Sequence, residues 1–347
     1  MTVIYAILVF GLIIFVHELG HFTAAKLAGI TVYQFNIGFG PALIKKKLGE
    51  TLYAIRLLPV GGAVMLKDAG EDPPEDIDPA EWTSEGSFQE APWLGRFAVI
   101  IAGSLMNFLC GIVIIMFILI PASSVAQPVL TGFAEGFPLE GTLQEGDEIV
   151  DINGFHIFVY NDVVTALQLG TGQPYDITVR RGREKIVLSD LELEPKDYDG
   201  TGRLRFGLNF GYEEIKGIGK LSYAFDNALS FFQSAYKSLG MLITGRAKTS
   251  DLMGTVGIAN EISERAGQSM TEMWYFVAYI AVNLSFVNML PVPGLDGGKL
   301  LLMIIELIRR KPLDPKIENY ISYAGLGLVL ILFAFVTYND IARLIAG

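Results

Sequence analysis

Two histidines stand four residues apart inside an apolar run near the amino terminus, and a glutamate follows the first of them: His17, Glu18 and His21. On a helix, residues four apart lie on one face, so both imidazoles can reach one metal ion with the glutamate beside the attacking water. The alternative is a polar patch buried against another helix. That alternative leaves three ionisable groups at bilayer depth unexplained, although a charged side chain there costs about 2.5–3.5 kcal/mol. The pattern predicts a zinc site with hydrolytic chemistry.

A catalytic zinc takes three protein ligands and keeps a further position open. The remaining histidine, His156, belongs to a segment that cannot reach the site, so the third ligand should be a carboxylate at similar depth. Asp296 is the candidate, because it follows the stretch 288–295 (N-M-L-P-V-P-G-L), whose prolines must break a helix, and precedes another apolar run. A helix N-cap is the alternative role for Asp296, and the two roles are compatible. Gly297 and Gly298 allow close helix approach here.

Four uncharged stretches are long enough to place these residues in a membrane. Charged residues make up 18% of the chain, against about 25% in soluble proteins, and a run of about 18 apolar residues can span a bilayer. The sequence therefore predicts a polytopic α-helical membrane protein and excludes soluble enzymes, nucleic-acid binders and disordered chains. A single cysteine, Cys110, excludes a disulfide framework and a cysteine-based zinc site. The predicted transmembrane segments are 1–28, 94–121, 273–308 (broken at Pro291-Val292-Pro293-Gly294) and 321–347.

Basic residues cluster in two loops between these segments, and cytoplasmic loops carry such an excess. The loop 29–93 contains Lys45, Lys46 and Lys47 among others, and the loop 309–320 is also rich in lysine and arginine. We expect both loops to be cytoplasmic, and both termini and the segment between the second and third spans to be extracytoplasmic. The net charge of −11 argues against a polybasic anchor for anionic lipid.

The extracytoplasmic segment has the pattern of a small folded module. Residues 143–157 form a predicted turn and alternating strand, Asn161 and Asp162 are expected to cap a short helix, and residues 175–188 form a predicted hairpin about Arg181-Gly182. The run E-G-D-E-I-V-D-I-N-G-F, with the helix and hairpin, resembles the PDZ domain of bacterial membrane proteases. We predict a PDZ domain over 122–213; a generic α+β module is the alternative. An amphipathic, interfacial helix and a linker are predicted over 214–272.

The cytoplasmic loop 29–93 begins with alternating or apolar runs between glycine-rich turns and ends in an acidic linker. We expect a membrane-associated β-hairpin in its first part. A peptide bond inside a transmembrane helix is shielded, so a client must be unwound into an extended strand, which a free sheet edge can accept. A small sheet without client contact is the alternative.

Together these motifs are similar to the site-2 protease family of intramembrane zinc metalloproteases, specifically the bacterial RseP type. The resemblance rests on HELGH in the first span, on N-M-L-P-V-P-G-L-D-G-G near the third, and on the PDZ-like module between them. It extends to A-G-S-L-M-N-F (102–108), P-V-G-G (59–62) and G-T-V-G-I (254–258). Ser104 and Thr255 stand where the family usually has proline, and a single PDZ domain replaces the two of the best-known relatives.

The resemblance implies a role for each matching residue. Zinc would be held by His17, His21 and Asp296, Glu18 would be the general base, and the client would be positioned by Asn107, Asn288, Gly61 and Gly62. It also implies a multi-pass enzyme of the bacterial cytoplasmic (inner) membrane that cuts transmembrane segments of single-pass proteins. Expected clients are trimmed anti-sigma factors or remnant signal peptides. The competing functions are a catalytically silent PDZ scaffold and a zinc transporter, which would need several polar sites along a pathway.

Overall fold

The computed structural model describes residues 2–67, 86–170, 172–245, 253–311 and 313–346. The chain forms two compact units: the first contains residues 1–114 and 235–347, and the second contains residues 115–234. Most of the predicted acidic linker, residues 68–85, lies outside the described residues. The helices are α1 (Thr2–Leu27), α2 (Trp93–Leu119), α3 (Tyr160–Leu169), α4 (Ile218–Ile243), α5 (Thr255–Gln268), α6 (Met270–Asn288), α7 (Asp296–Arg309) and α8 (Pro315–Ala346).

Four of these helices are long and apolar enough to cross a membrane, as the sequence predicts. The candidate spans are Ile4–Leu27, Trp93–Leu119, Met270–Asn288 and Tyr320–Ala342. The helix α2 runs unbroken through Ser104, one of the two positions that depart from the family prolines. The other, Thr255, is the first residue of α5, a position where proline is favoured but not required.

The third predicted segment consists of two helices rather than one bent span. The helix α6 ends at Asn288 and is long enough to cross by itself, and α7 begins only at Asp296. Between them Gly294 has a φ of +94°, and a Cβ at this position would lie 2.9 Å from the backbone nitrogen of Leu326 on α8. Only glycine combines this left-handed conformation with so close a contact. The predicted break is correct, but α7 is a separate short helix.

In the described part of the first unit, β1 (Val32–Leu48) and β2 (Thr51–Leu66) form one sheet. Both strands bend and pair twice: residues 44–48 lie opposite 51–55, and residues 34–37 lie opposite both 52–55 and 62–65. The paired segments therefore follow the order 44–48, 51–55, 34–37, 62–66. Among the described residues, segment 62–66 has a strand partner on one side only, so it is an edge of this sheet. We call this segment the edge strand.

The second unit is built on a six-stranded sheet, against which the short helix α3 packs. Its strands are β3 (Ser124–Phe133), β4 (Glu148–Ile152), β5 (Phe155–His156), β6 (Tyr175–Arg181), β7 (Glu184–Leu191) and β8 (Leu208–Glu214). Their order is β7-β6-β4-β3-β8, with β5 paired to β4. The core contains Leu130, Ile149, Val163, Tyr175 and Ile177, each almost fully buried. The predicted strand, helix and hairpin are all present, and the PDZ assignment stays a prediction.

The helix α3 differs from the prediction in how its amino end is stabilised. It begins at Tyr160 after Val159, so Asn161 and Asp162 lie inside the first turn. The Oδ2 atom of Asp162 accepts hydrogen bonds from the backbone N–H groups of Phe158 (2.9 Å) and Val159 (3.0 Å). The Asp162 carboxylate therefore accepts hydrogen bonds from free amides just ahead of the helix. The predicted capping residue does stabilise this end of α3, but from inside the first turn and not from the N-cap position.

The amphipathic helix α4 packs part of its polar face against the second unit. The hydroxyl of Ser230 donates a hydrogen bond to Asp162 Oδ1 (2.6 Å), and the side-chain amide of Gln233 donates one to the His156 carbonyl (2.7 Å). Near its start, Lys220 donates to the carbonyls of Leu119 and Ile120, at the carboxyl end of α2. The first part of α4 thus belongs structurally to the inserted unit.

Candidate metal centre

The side chains of His17, His21 and Asp296 converge on one point. The helix α1 carries both histidines on one face, one turn apart, and α7 brings Asp296 from its first residue. The Nε2 atoms of the histidines are 3.1 Å apart, and Asp296 Oδ2 is 3.2 Å from that of His17 and 3.3 Å from that of His21. These three atoms form a nearly equilateral triangle, and all three residues are buried or half-buried.

The dimensions of this triangle fit a tetrahedral zinc. Three ligand atoms at 2.0–2.1 Å from a tetrahedral ion stand about 3.3–3.4 Å from one another. Asp296 Oδ2 has no hydrogen-bond partner among the described residues although it is buried, and such an atom normally has one. Two imidazole nitrogens and a carboxylate oxygen are also ordinary zinc ligands. The residues present therefore fit the ion.

The far side of each imidazole is held by a residue from another helix. The Nδ1 atom of His21 lies 2.7 Å from the carbonyl oxygen of Val99 on α2, so it carries the proton and leaves Nε2 free to bind metal. The Nδ1 atom of His17 lies 3.4 Å from the side-chain amide of Asn288 at the end of α6. The nearer atom of that amide is its nitrogen, Nδ2, so Asn288 packs beside this imidazole from a third helix.

The closest wall of the site is Gly103 on α2. A Cβ at this position would lie 2.7 Å from His17 Cε1 and 2.8 Å from His21 Cε1, which is closer than real side chains come. On α1, next to His21, a Cβ at Gly20 would meet the carbonyl of Ala102 and lie 2.8 Å from Met106 Cγ. Two glycines thus allow α1 and α2 to approach until the histidines touch the α2 backbone.

Asp296 is positioned by the broken stretch that precedes it. It is the first residue of α7, whose N-cap is Leu295, so the predicted alternative role of Asp296 as an N-cap is wrong. A Cβ at Gly297 would meet the carbonyls of Met289 and Leu290, and one at Gly298 would lie 2.8 Å from Pro293 Cα. Both glycines therefore allow a close approach, but to the loop that precedes α7 and not to another helix. This packing fixes the direction of the Asp296 carboxylate.

Glu18 lies between the metal ligands and the edge strand. Its carboxylate interacts electrostatically with His17, His21 and Asp296 and is hydrogen-bonded to the backbone of Val64. A Cβ at Gly62 would lie 2.7 Å from Glu18 Cγ, so glycine at this position leaves room for the glutamate. The edge strand is therefore directly beside the acid that the sequence identifies as general base.

The other predicted site residues have distinct surroundings. Asn107, one turn after Gly103 on α2, is fully buried, and neither polar atom of its side chain has a hydrogen-bond partner among the described residues. Asn288 contacts His17, as described above. Gly61 has a φ of +86° and shapes the bend that leads into the edge strand, while Gly62 adjoins Glu18. Asn107 is thus a predicted client-binding side chain with unused hydrogen-bonding capacity among the described residues.

Three contributions to the site were missed in the sequence. Val99 and Val64 act through backbone atoms, which any residue type carries, so no side-chain signal could reveal them. Gly103 was within the quoted A-G-S-L-M-N-F run, but nothing in that run says which helix face the glycine occupies. Its spacing of four residues from Asn107 was the available signal, because it puts both on one face of α2.

Comparison with known proteins identifies a peptidase family and several relatives. The model of "Peptidase family M50" matches residues 5–332. The chain is 30% identical to the "Regulator of sigma-W protease RasP" of Bacillus subtilis, with 99% of each chain covered. It is 31% identical to the "Zinc metalloprotease RasP" of Bacillus licheniformis and 31% identical to a "Putative zinc metalloprotease" of Helicobacter pylori, with 99% of each chain covered in both cases.

Proposed function

The chain belongs to peptidase family M50, the site-2 proteases, and from this premise we propose that it cuts the transmembrane segments of single-pass membrane proteins. It is a zinc metalloendopeptidase with the helices of a multi-pass membrane protein. This membership sets aside the catalytically silent scaffold and the zinc transporter. The observation that carries the catalytic proposal is the triangle of ligand atoms from His17, His21 and Asp296.

We assign the zinc to these three residues. Bound there, zinc supplies a Lewis acid that polarises the peptide carbonyl and makes water a stronger nucleophile. His21 presents Nε2 to it because the Val99 carbonyl accepts the Nδ1–H of this ring, and Asn288 lies beside Nδ1 of His17. The negative charge of Asp296 would partly neutralise the double positive charge of zinc, which is costly to hold unpaired at membrane depth.

We assign proton transfer to Glu18. Its carboxylate takes the proton of the attacking water and passes it to the nitrogen of the leaving amine. The hydrogen bond from the backbone of Val64 and the close contact with Gly62 hold the carboxylate in one orientation. A fixed base of this kind avoids the reorganisation that a flexible glutamate would need.

We propose that the client binds as an extended strand along the edge strand, residues 62–66. Extended peptides commonly add to a free sheet edge through backbone hydrogen bonds. The edge strand adjoins Glu18 at Gly62 and Val64, so a client paired with it would run past the acid. Asn107, whose polar side-chain atoms have no partner within the described part of the chain, would bind the client backbone. Gly61 sets the course of the edge strand, and Asn288 supports the site through His17.

The expected client class follows the relatives. One relative is named "Regulator of sigma-W protease RasP". We propose that this chain cuts anti-sigma factors already trimmed outside the membrane, or remnant signal peptides. We further propose that it lies in a bacterial cytoplasmic membrane. The basic loops 29–93 and 309–320 would then face the cytoplasm, and the termini and the inserted unit would lie outside.

We propose that the inserted unit is a PDZ domain that acts as a steric gate. It enters from α2 and leaves through α4, so it is tethered at both ends. A folded client ectodomain would collide with it, whereas a trimmed stub would pass. Val163 and Leu167 on α3 are almost fully buried in the core of this unit, so altering them would test its stability rather than peptide binding.

Replacing Glu18 tests the proposed mechanism. We expect Glu18→Gln to lower client cleavage by about 10²–10⁴-fold, the usual contribution of a general base, while zinc stays bound. Cleavage of a single-span client in proteoliposomes and the metal content of the same preparation are measured together. The matched control is Glu261→Gln, which removes an acid that pairs with Arg265 on α5 and should leave cleavage unchanged. Near wild-type cleavage by the zinc-loaded Glu18→Gln protein would remove the mechanism.

A further inference from the structure

An apolar crevice of about 340 Å³ lies between α1 and the sheet of the first unit. Phe15, Leu19 and Phe22 line it from α1, and Phe35 and Tyr53 line it from the sheet. The rings pack edge to face, with centroids 5.2 Å apart for Phe22 and Phe35 and 6.0 Å apart for Phe15 and Phe35. The walls are thus rigid aromatic surfaces, and the volume suits a slender apolar group.

The crevice lies along the part of α1 that would cross one leaflet. Phe22 is five residues and Phe15 twelve residues before the last residue of α1, Leu27, which corresponds to about 7.5 and 18 Å along a helix. Half of a bilayer's hydrocarbon core is about 15 Å thick. The crevice therefore spans about the same depth, measured from the carboxyl end of α1, as the acyl chains of one leaflet.

The open side of the crevice carries exposed apolar and basic side chains. Ile44 and Ile55 line it while remaining 62% and 47% exposed. Lys46 lines it as well, and successive residues of a strand alternate in direction, so Lys45 and Lys47 point to the other face. None of these three lysines has a carboxylate partner among the described residues, whereas Lys26 pairs with Glu50 nearby.

The positive charge of the three lysines is local and does not follow the negative charge of the whole chain. The net charge of −11 argues against a polybasic anchor, but only two of the 37 acidic residues, Glu18 and Glu50, lie before residue 68. At the tip of the hairpin, K-K-K stands between exposed Leu43, Ile44 and Leu48. A lysine stem that covers apolar surface while its ammonium reaches the headgroup level is the usual arrangement at a membrane boundary.

We propose that the crevice binds an anionic phospholipid of the bilayer, with one acyl chain against Phe15, Phe22 and Phe35 and the headgroup phosphate on Lys46. The proposal is separate from the client strand, because the client is assigned to the edge strand at Gly62 and Val64. The bound lipid would cover the exposed apolar surface between α1 and the hairpin, which water would otherwise meet at the membrane boundary.

Photo-cross-linking tests the proposal. The zinc-loaded full chain is reconstituted in nanodiscs that contain phosphatidylglycerol with a diazirine in one acyl chain, and cross-linked peptides are identified by mass spectrometry. We expect cross-links to peptides of α1, β1 and β2. Lys46→Glu should reduce them at least fivefold, and Lys47→Glu, the same charge change on the opposite face of the strand, should leave them within twofold.

A second pair of variants tests the apolar part of the site. Ile55→Trp should fill the crevice and reduce the cross-links at least fivefold, whereas Leu57→Trp, at an exposed leucine outside the crevice, should not. Equal labelling in Lys46→Glu and Lys47→Glu, or equal labelling by a phosphatidylcholine probe, would overturn the anionic lipid. Displacement of the lipid by a single-span client that cross-links to the same peptides would show a client site instead and would also overturn the proposal.

Discussion

Each imidazole of the metal centre is fixed from the side that faces away from the ligand triangle. Val99 holds His21 by a 2.7 Å contact and Asn288 adjoins His17. The types and spacing of His17, Glu18 and His21 were enough to predict the chemistry. The partners of their Nδ1 atoms were not predictable, because one is a backbone carbonyl and the other depends on where α6 ends.

Asp296 is the residue whose replacement should act on the metal itself. We expect Asp296→Asn to weaken zinc affinity on the order of 100-fold and to lower cleavage, since a neutral amide is a poor ligand and even supporting residues cost 10–100-fold. Competition with a zinc chelator measures the affinity. The matched control is Asp340→Asn, another buried aspartate, which accepts hydrogen bonds from the amides of Gly254 and Gly257 at the start of α5. It should keep its zinc affinity within twofold; unchanged affinity in Asp296→Asn would make Asp296 a positioning residue only.

At the scale of the element, sequence patterns gave the helices more reliably than the contacts between them. The uncharged runs predicted the four spans, and the prolines predicted the end of α6. The double pairing of β1 and β2 was not predictable, because it depends on bends at glycines whose conformation the sequence leaves open. The contact between Ser230 on α4 and Asp162 was not predictable either, because it joins residues 68 positions apart that meet only in the folded unit.

The turn before β4 is tied to β6 by a buried ion pair. Asp147 is fully buried and accepts two hydrogen bonds from Arg181, at 2.7 and 2.8 Å, and one from the backbone of Gln144 at 3.0 Å. Burial alone would raise the pKa of Asp147, but the Arg181 guanidinium and the Gln144 amide outweigh it and hold the pKa below its ordinary value. The ionised form therefore stabilises this corner of the inserted unit.

We expect Asp147→Ala to destabilise the inserted unit by about 1.5–3 kcal/mol, the usual value of hydrogen bonds to a charged group. Pulse proteolysis in urea, with cleavage between 124 and 214 as the signal, measures the change in the full chain. Glu148→Ala is the matched control: Glu148 pairs with Arg180 at 2.7 Å, but both side chains are at least one-third exposed, so its loss should cost less than about 1 kcal/mol.

The pH dependence of this effect follows from the lowered pKa. The stabilisation by Asp147 is fully present above the ordinary pKa of an aspartate and is lost as the pH falls through the lower value of the folded state. The difference between wild type and Asp147→Ala should therefore be constant from pH 5 to 8 and shrink only in stronger acid. A difference that instead grew as the pH fell would contradict the assignment.

At the scale of the whole molecule, the inserted unit has its two ends next to each other. The backbone N–H of Ile215 donates a hydrogen bond to the carbonyl of Ser123 at 3.0 Å, and β3 pairs with β8 just inside them. Chain segments with adjacent ends can be inserted or removed with little disturbance of the host. The sequence predicted the unit from its strand and hairpin signals, but it could not show this closure, because β8 lies far from β3 along the chain.

Removing the inserted unit tests the steric gate. We expect a chain that lacks residues 124–214, with Ser123 joined to Ile215 by a short glycine-serine bridge, to cut both trimmed and untrimmed clients, whereas the intact enzyme cuts only trimmed ones. Zinc content shows that the remaining unit is folded. A second variant with a loop insertion at the exposed turn Gly182-Arg183 keeps the unit in place and should retain the discrimination. A zinc-loaded deletion that still rejects untrimmed clients would place the gate elsewhere.

The ligand triangle joins parts of the chain that are synthesised at different times. His17 and Asp296 are 279 positions apart (296 − 17), so a ribosome that adds about 5–20 residues per second needs roughly 15–55 s to pass from one to the other. During that interval α1 is already made, with both histidines and Glu18, but its third ligand does not exist. The ligand triangle is thus incomplete until most of the chain has been translated, so the order of the sequence itself delays assembly of the proposed zinc site.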